Sequence, residues 1–174
     1  MLTMQEIKSH YFFTDEEAAM LRELQPLAEA NRERMSTEFY DYLLGIPETA
    51  EFLKDDQLRN RLKKTHEDWF VSIFSGQYDN QCLHTLQHIG QVHVRVGLPA
   101  HFVNAAMYVV RRFIVEMLQE NFPLAEQRRM LRKAADKIVD INLDILSAAY
   151  QEEELNKVFL SHRLESKLIH AAQG

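Results

Sequence analysis

His93 and His66 are the residues of this chain best placed to do chemistry, because each puts an imidazole in the middle of an apolar helical face. At roughly 100° per residue, Cys82, Leu86, Ile89 and Val96 fall within about 60° of His93. On the preceding segment, Leu62, Trp69, Phe70 and Ile73 fall equally close to His66. An unpaired polar ring in such a stripe is unfavourable, so each imidazole needs a hydrogen bond or a metal. His84 and His88 fall near 180° from His93, beside Gln91 and Arg95, on the polar face. Their i, i+4 spacing could hold a surface metal ion, but no acidic or cysteine partner stands nearby. The single cysteine, Cys82, excludes an intramolecular disulfide and any all-cysteine metal site.

A lone histidine of this kind is commonly a core residue with satisfied hydrogen bonds. Two of them on neighbouring helices point further, to a ligand shared between them. Imidazole is the usual axial ligand of haem iron, and an apolar pocket suits the macrocycle. Zinc fits less well, since no third and fourth ligand lies on these faces. No Ser-His-Asp, carboxylate-pair or phosphate-loop arrangement stands out, and no catalysis by this domain is expected.

The elements that must position these rings read as helices throughout. A short helix over Thr3 to Ser9 comes first. Thr14-Asp15-Glu16-Glu17 is a capped, acidic helix start, and that helix is expected to run to about Ala30. Another covers Asn31 to about Leu44 and breaks at Gly45-Ile46-Pro47. Short Pro47–Leu53 follows, then amphipathic Gln57–Ser75, then Asn80–Val96, which stops at Gly97-Leu98-Pro99. Pro99 opens an apolar helix to about Glu120. A last helix runs from Leu124 to at least Gln151. Beyond it, Leu155, Val158, Phe159, Leu164 and Leu168 continue at three-to-four spacing with no core of their own.

The 174 residues suit one domain with a real core. Only 5 Gly and 4 Pro favour few long elements over many short strands. A net charge of −6 argues against nucleic acid as the main partner, since phosphate binding needs a basic face. No apolar run approaches the roughly 18 uncharged residues of a membrane span, and the start, MLTMQEIKSHYFF, has no signal-peptide pattern. A cytoplasmic setting, without membrane insertion, is the expectation.

Ile89-Gly90-x-x-His93-x-x-Val96-Gly97-Leu98-Pro99 resembles the proximal-helix motif of the globin domains in bacterial globin-coupled sensors. Phe39-Tyr40-Asp41-Tyr42-Leu43-Leu44 resembles that family's Phe-Tyr-x-x-Leu segment. Trp69-Phe70-x-x-Ile73-Phe74-x-Gly76-x-Tyr78-Asp79 resembles the end of its distal helix. The resemblance covers roughly residues 5 to 155. It implies an all-α globin fold, a three-over-three helical sandwich with an extra N-terminal helix and no distinct D helix. It implies haem b, with His93 as the proximal iron ligand. Tyr40 matches the distal tyrosine that donates to a bound gas; Tyr42 is the fallback if the register slips by two. His66 departs from the family, where a smaller or aliphatic residue commonly faces the haem. It is expected to bind iron as a sixth ligand that O2, CO or NO displaces, or else to donate a hydrogen bond to the gas.

Leu62, Trp69, Phe70 and Ile73 should line the distal side and Leu86, Ile89, Val96 and Met107 the proximal side. Arg59, Lys63 and Arg95 could meet the propionates. The broad apolar face of Phe102, Ala105, Ala106, Val109, Val110 and Phe113 could meet a second subunit in a homodimer. The implied organisation is a globin sensor domain over 1–155 and a helical connector over 156–174, leading to a C-terminal output domain that these residues do not contain. Two alternatives stand beside the haem-based gas or redox sensor: a stand-alone, protoglobin-like gas-binding protein, and a cofactor-free helical interaction module.

Overall fold

A computed structural model of the chain describes the backbone of residues 2–172 and the side chains of residues 2–160. Its eight helices are α1 (Met4–His10), α2 (Asp15–Glu23), α3 (Gln25–Leu44), α4 (Pro47–Glu51), α5 (Asp56–Ser72), α6 (Asn80–Arg95), α7 (Ala100–Asn121) and α8 (Ala125–Ala172). The stripe residues Leu164 and Leu168 lie outside the described side chains.

Local chemistry starts and stops most of these helices. Thr3 and Glu6 close a capping box on α1, and Thr14 and Glu17 close another on α2, so two orphan N–H groups are satisfied at each start. Asp55 caps α5 by accepting from the Leu58 N–H at 2.6 Å, and Asp79 caps α6 from the Cys82 N–H at 3.0 Å. The break expected at Ala30–Asn31 is instead at Leu24. Pro26 decides this: it has no N–H to give and its ring would strike the carbonyl of Arg22, so the helix restarts with Pro26 in its first turn. Continuous α3 then carries Tyr40 on the same rod as Arg32 and Arg34.

The stop after α6 is a Schellman motif. The Leu98 N–H donates to the His93 carbonyl at 3.0 Å and the Gly97 N–H to the Val94 carbonyl at 3.0 Å. Gly97 takes φ +74, which a side chain resists. His93 therefore sits in the last turn of α6, with its carbonyl tied into the stop.

The helices form two layers. α3 lies on α7 and α7 on α8; across them, α5 packs on α3, while α2 and α6 pack on α8. The core between the layers includes Tyr40, Phe70, Phe74, Phe113, Ile138 and Ile141, all less than about 2 % exposed. Each such aliphatic or aromatic side chain contributes about 1.5–3 kcal/mol of burial. Phe70 meets Phe74 and Phe113 edge-on, with ring centres 5.5 and 5.6 Å apart. Gly90 lets α6 press against α8: a Cβ there would stand 2.9 Å from the Leu146 carbonyl oxygen. Among the described residues α5 and α6 are not closely packed on one another. These are the two helices that carry His66 and His93.

Candidate functional site

The site is built by three helices. α5 supplies His66 from its middle, α6 supplies His93 from its last turn, and α3 supplies Tyr40. The α3–α5 pair is held in register by Arg32, which ion-pairs with Asp68 and lies 3.6 Å from Glu67. Those two carboxylates directly follow His66 on α5.

Tyr40 is 2 % exposed, and its Oη lies 2.8 Å from Nδ1 of His66. The ring of Phe39 stands 5.1 Å from the imidazole and that of Tyr40 5.7 Å. Burial lowers the His66 pKa to about 4, and the neighbouring His93 pushes it the same way. Burial likewise depresses His93 and raises the Tyr40 phenol. Both imidazoles are thus neutral at ordinary pH, the form in which a ring nitrogen can bind a metal. His93 has a further mark: its Nδ1 is buried and has no hydrogen-bond partner. A buried imidazole nitrogen without a partner, with a second imidazole near enough to feel its charge, fits residues that would hold the iron of a haem. A metal held by protein ligands alone fits poorly: no group of three or more His, Cys, Asp or Glu comes together among the described residues.

The lining residues divide. Leu62, Trp69 and Ile89 are half-buried against the core, and Ile73, Leu86 and Met107 are buried. Phe70 is fully buried and turns its ring toward Phe113 of α7, so it belongs to the core behind the site. Val96 is the C-cap of α6, its N–H still donating to the Val92 carbonyl at 3.0 Å, and it is 55 % exposed. Tyr42 is half-buried against the core, and Tyr40 is the tyrosine that reaches His66. Arg59 donates to the Leu53 carbonyl at 3.0 Å and pairs with Asp56. Lys63 lies over the Tyr40 ring at 5.6 Å, and Arg95 is exposed. His84 and His88 are exposed.

Several partners were invisible in the sequence. The Trp69 indole N–H donates to Oδ1 of Asn142 on α8 at 3.1 Å, and Asn142 in turn donates to the Ile138 carbonyl. Tyr150 donates to the Leu98 carbonyl at 2.8 Å. Asn142 had a signal: it is a polar residue inside the buried run Ile138, Val139, Ile141, Ile145 and Leu146.

Six main helices in two layers, with imidazoles on the neighbouring helices α5 and α6, are the arrangement of a globin. The chain belongs to the Protoglobin family, which it matches over residues 1–156. It is similar in structure to the globin domain of a Geobacter sulfurreducens globin-coupled sensor, at 64% identity and a TM-score of 0.83, over 86% of this chain and 99% of that one. The ferrous globin domain of Escherichia coli DosC shares the fold at a TM-score of 0.69 and 22% identity, over 77% of this chain and 97% of that one. The chain is 24% identical to the diguanylate cyclase DosC of E. coli over 84% of its own length, and spans about a third, 33%, of that protein. It is 31% identical to the haem-based aerotactic transducer HemAT of Halobacterium salinarum over 48% of its own length and 17% of that protein.

Proposed function

We propose that this chain is a haem-based gas or redox sensor domain, in which His93 holds haem b on the proximal side and His66 is a distal ligand that O2, CO or NO displaces. The observation that carries this reading is the pair of half-buried imidazoles on α5 and α6, His66 held by Tyr40 and His93 with a buried Nδ1 that has no partner. When bound, haem b would supply a redox-active iron that imidazole and diatomic gases can ligate. His93 would anchor it from the rigid last turn of α6. Tyr40 and Phe39 confine His66 on its other side, and the apolar lining of Leu62, Ile73, Leu86, Ile89 and Met107 excludes water.

α8 is the element that would carry a change outward, because it touches both sides of the site. Asn142 takes the hydrogen bond of Trp69, one turn from His66. Leu146 and Ala149 abut Gly90, three residues before His93, and Tyr150 holds the Leu98 carbonyl behind it. Displacement of His66 would shift α5 against α8 and so become a change in protein shape. Farther along α8, Leu155, Val158, Phe159 and Leu160 are 52–69 % exposed. This apolar stretch supports a helical connector after residue 155, engaged in a homodimer and leading to an output domain outside this chain. No helix among the described residues is long and apolar enough to cross a membrane; we place the domain in the cytoplasm.

Visible spectra of the ferric, ferrous and carbon monoxide forms test the reading. The ferric protein should be low-spin, and His66→Ala should make it high-spin. A high-spin spectrum in both proteins would overturn distal ligation, and a protein that takes up no added haem would leave a cofactor-free helical module.

A further inference from the structure

A neutral imidazole has one N–H and one lone pair, so the partner of one nitrogen fixes what the other can do. In His66, Nδ1 lies 2.8 Å from Tyr40 Oη. If the phenol donates to Nδ1, the hydrogen sits on Nε2 and that nitrogen has no lone pair for a metal. If Nδ1 carries the hydrogen, it donates to the phenol oxygen, and Nε2 is free to ligate. The direction of one hydrogen bond therefore separates a ligating His66 from a non-ligating one. The surroundings keep the two residues together: Tyr40 is buried, Arg32 ties α3 to the turn of α5 that follows His66, and the Phe39 ring closes the adjacent side of the imidazole.

We propose that Tyr40 is a positioning residue for His66: its phenol oxygen accepts from Nδ1–H while His66 is turned to the iron, and its hydroxyl donates to the gas ligand that takes the place of His66 when His66 withdraws. This rests on the haem-sensor reading above. The same hydroxyl accepts from His66 through its oxygen and donates to the gas through its hydrogen, so release of His66 and retention of the gas are linked through one group. The distal tyrosine here holds the resting ligand as well as the incoming one.

Tyr40→Phe keeps the ring and removes the hydroxyl; equal urea midpoints for variant and parent would show that it folds. In the ferric haem protein the ratio of low-spin to high-spin species, read by electron paramagnetic resonance, should fall about fivefold, the worth of one net hydrogen bond. The same change made in His66→Ala should leave the spin state alone and still speed oxygen release by about tenfold, as expected when an anionic acceptor loses its donor. A spin ratio that is unmoved, or that rises, in Tyr40→Phe overturns the proposal. The haem-free protein gives an independent arm. Nitrogen-15 shifts of the His66 ring should move in Tyr40→Phe and stay fixed in Tyr42→Phe. Failure to take up haem would overturn the sensor reading, whereas ring shifts of His66 unmoved by Tyr40→Phe would overturn the role of Tyr40 whatever the cofactor.

Discussion

Gly90→Ala is the most searching substitution, because two opposing effects act at one site and the structure says which wins. In an open helix interior the change stabilises by about 1 kcal/mol, since glycine pays more backbone entropy than alanine. Here the new Cβ would stand 2.9 Å from the Leu146 carbonyl oxygen, 3.0 Å from Ala149 Cβ and 3.3 Å from Leu146 Cα. Ordinary contact begins at 3.4 Å. Two of these atoms are main chain and the third is a methyl fixed to it, so none can swing aside. α6 and α8 must part by about half an ångström, and overpacking of this kind costs roughly 1–3 kcal/mol. The net expectation is a loss of about 1 kcal/mol, or a Tm lower by about 2–4 °C for a chain of this size. Urea unfolding of the haem-free protein measures it directly. Because α6 carries His93 three residues on, haem should also be lost faster from the variant. A Gly90→Ala protein as stable as the parent, or more so, would refute the close α6–α8 approach and with it the α8 route for the signal.

Gly97→Ala should cost about 1 kcal/mol through its left-handed φ alone, because nothing lies within 4 Å of the added Cβ; Gly97→Asn should recover part of that loss in the same unfolding assay. Trp69→Phe should cost about 1–3 kcal/mol, since Oδ1 of buried Asn142 loses its donor, and a loss no larger than that of an exposed aromatic would contradict the bond. The haem-free protein should weaken in acid. His66 has a folded pKa of about 4 against an ordinary 6.5, so the unfolded chain takes the proton first and stability falls as pH drops from 6.5 toward 4, by up to about 3 kcal/mol. His66→Phe should flatten that part of the stability–pH curve, and an unchanged slope would show that His66 titrates normally.

The periodicity around His66 and His93 was legible because a helical face is a local property: side chains three and four apart share it whatever the helix packs on. Helix ends were legible for the same reason, through Thr14 at the start of α2 and Gly97 at the stop of α6. Errors arose where one local rule overrode another. Pro26 moved the α2–α3 break to Leu24, because a ring with no N–H overrides the apolar spacing around it. Phe70 shares the angular sector of His66, yet its ring belongs to the core, because a sector is wide enough to serve two neighbours.

By itself the sequence determined an all-helical chain, the two apolar faces centred on histidine and the family motif around His93. Tertiary structure decided what each imidazole meets. Tyr40 and His66 are 26 residues apart, Trp69 and Asn142 are 73, and whether either pair touches depends on the angle and offset at which two helices cross. Those quantities are set by the packing of many side chains at once, which no local pattern encodes. The same holds for Gly90: any helix tolerates a glycine, and only the backbone of α8 lying against it makes that glycine necessary.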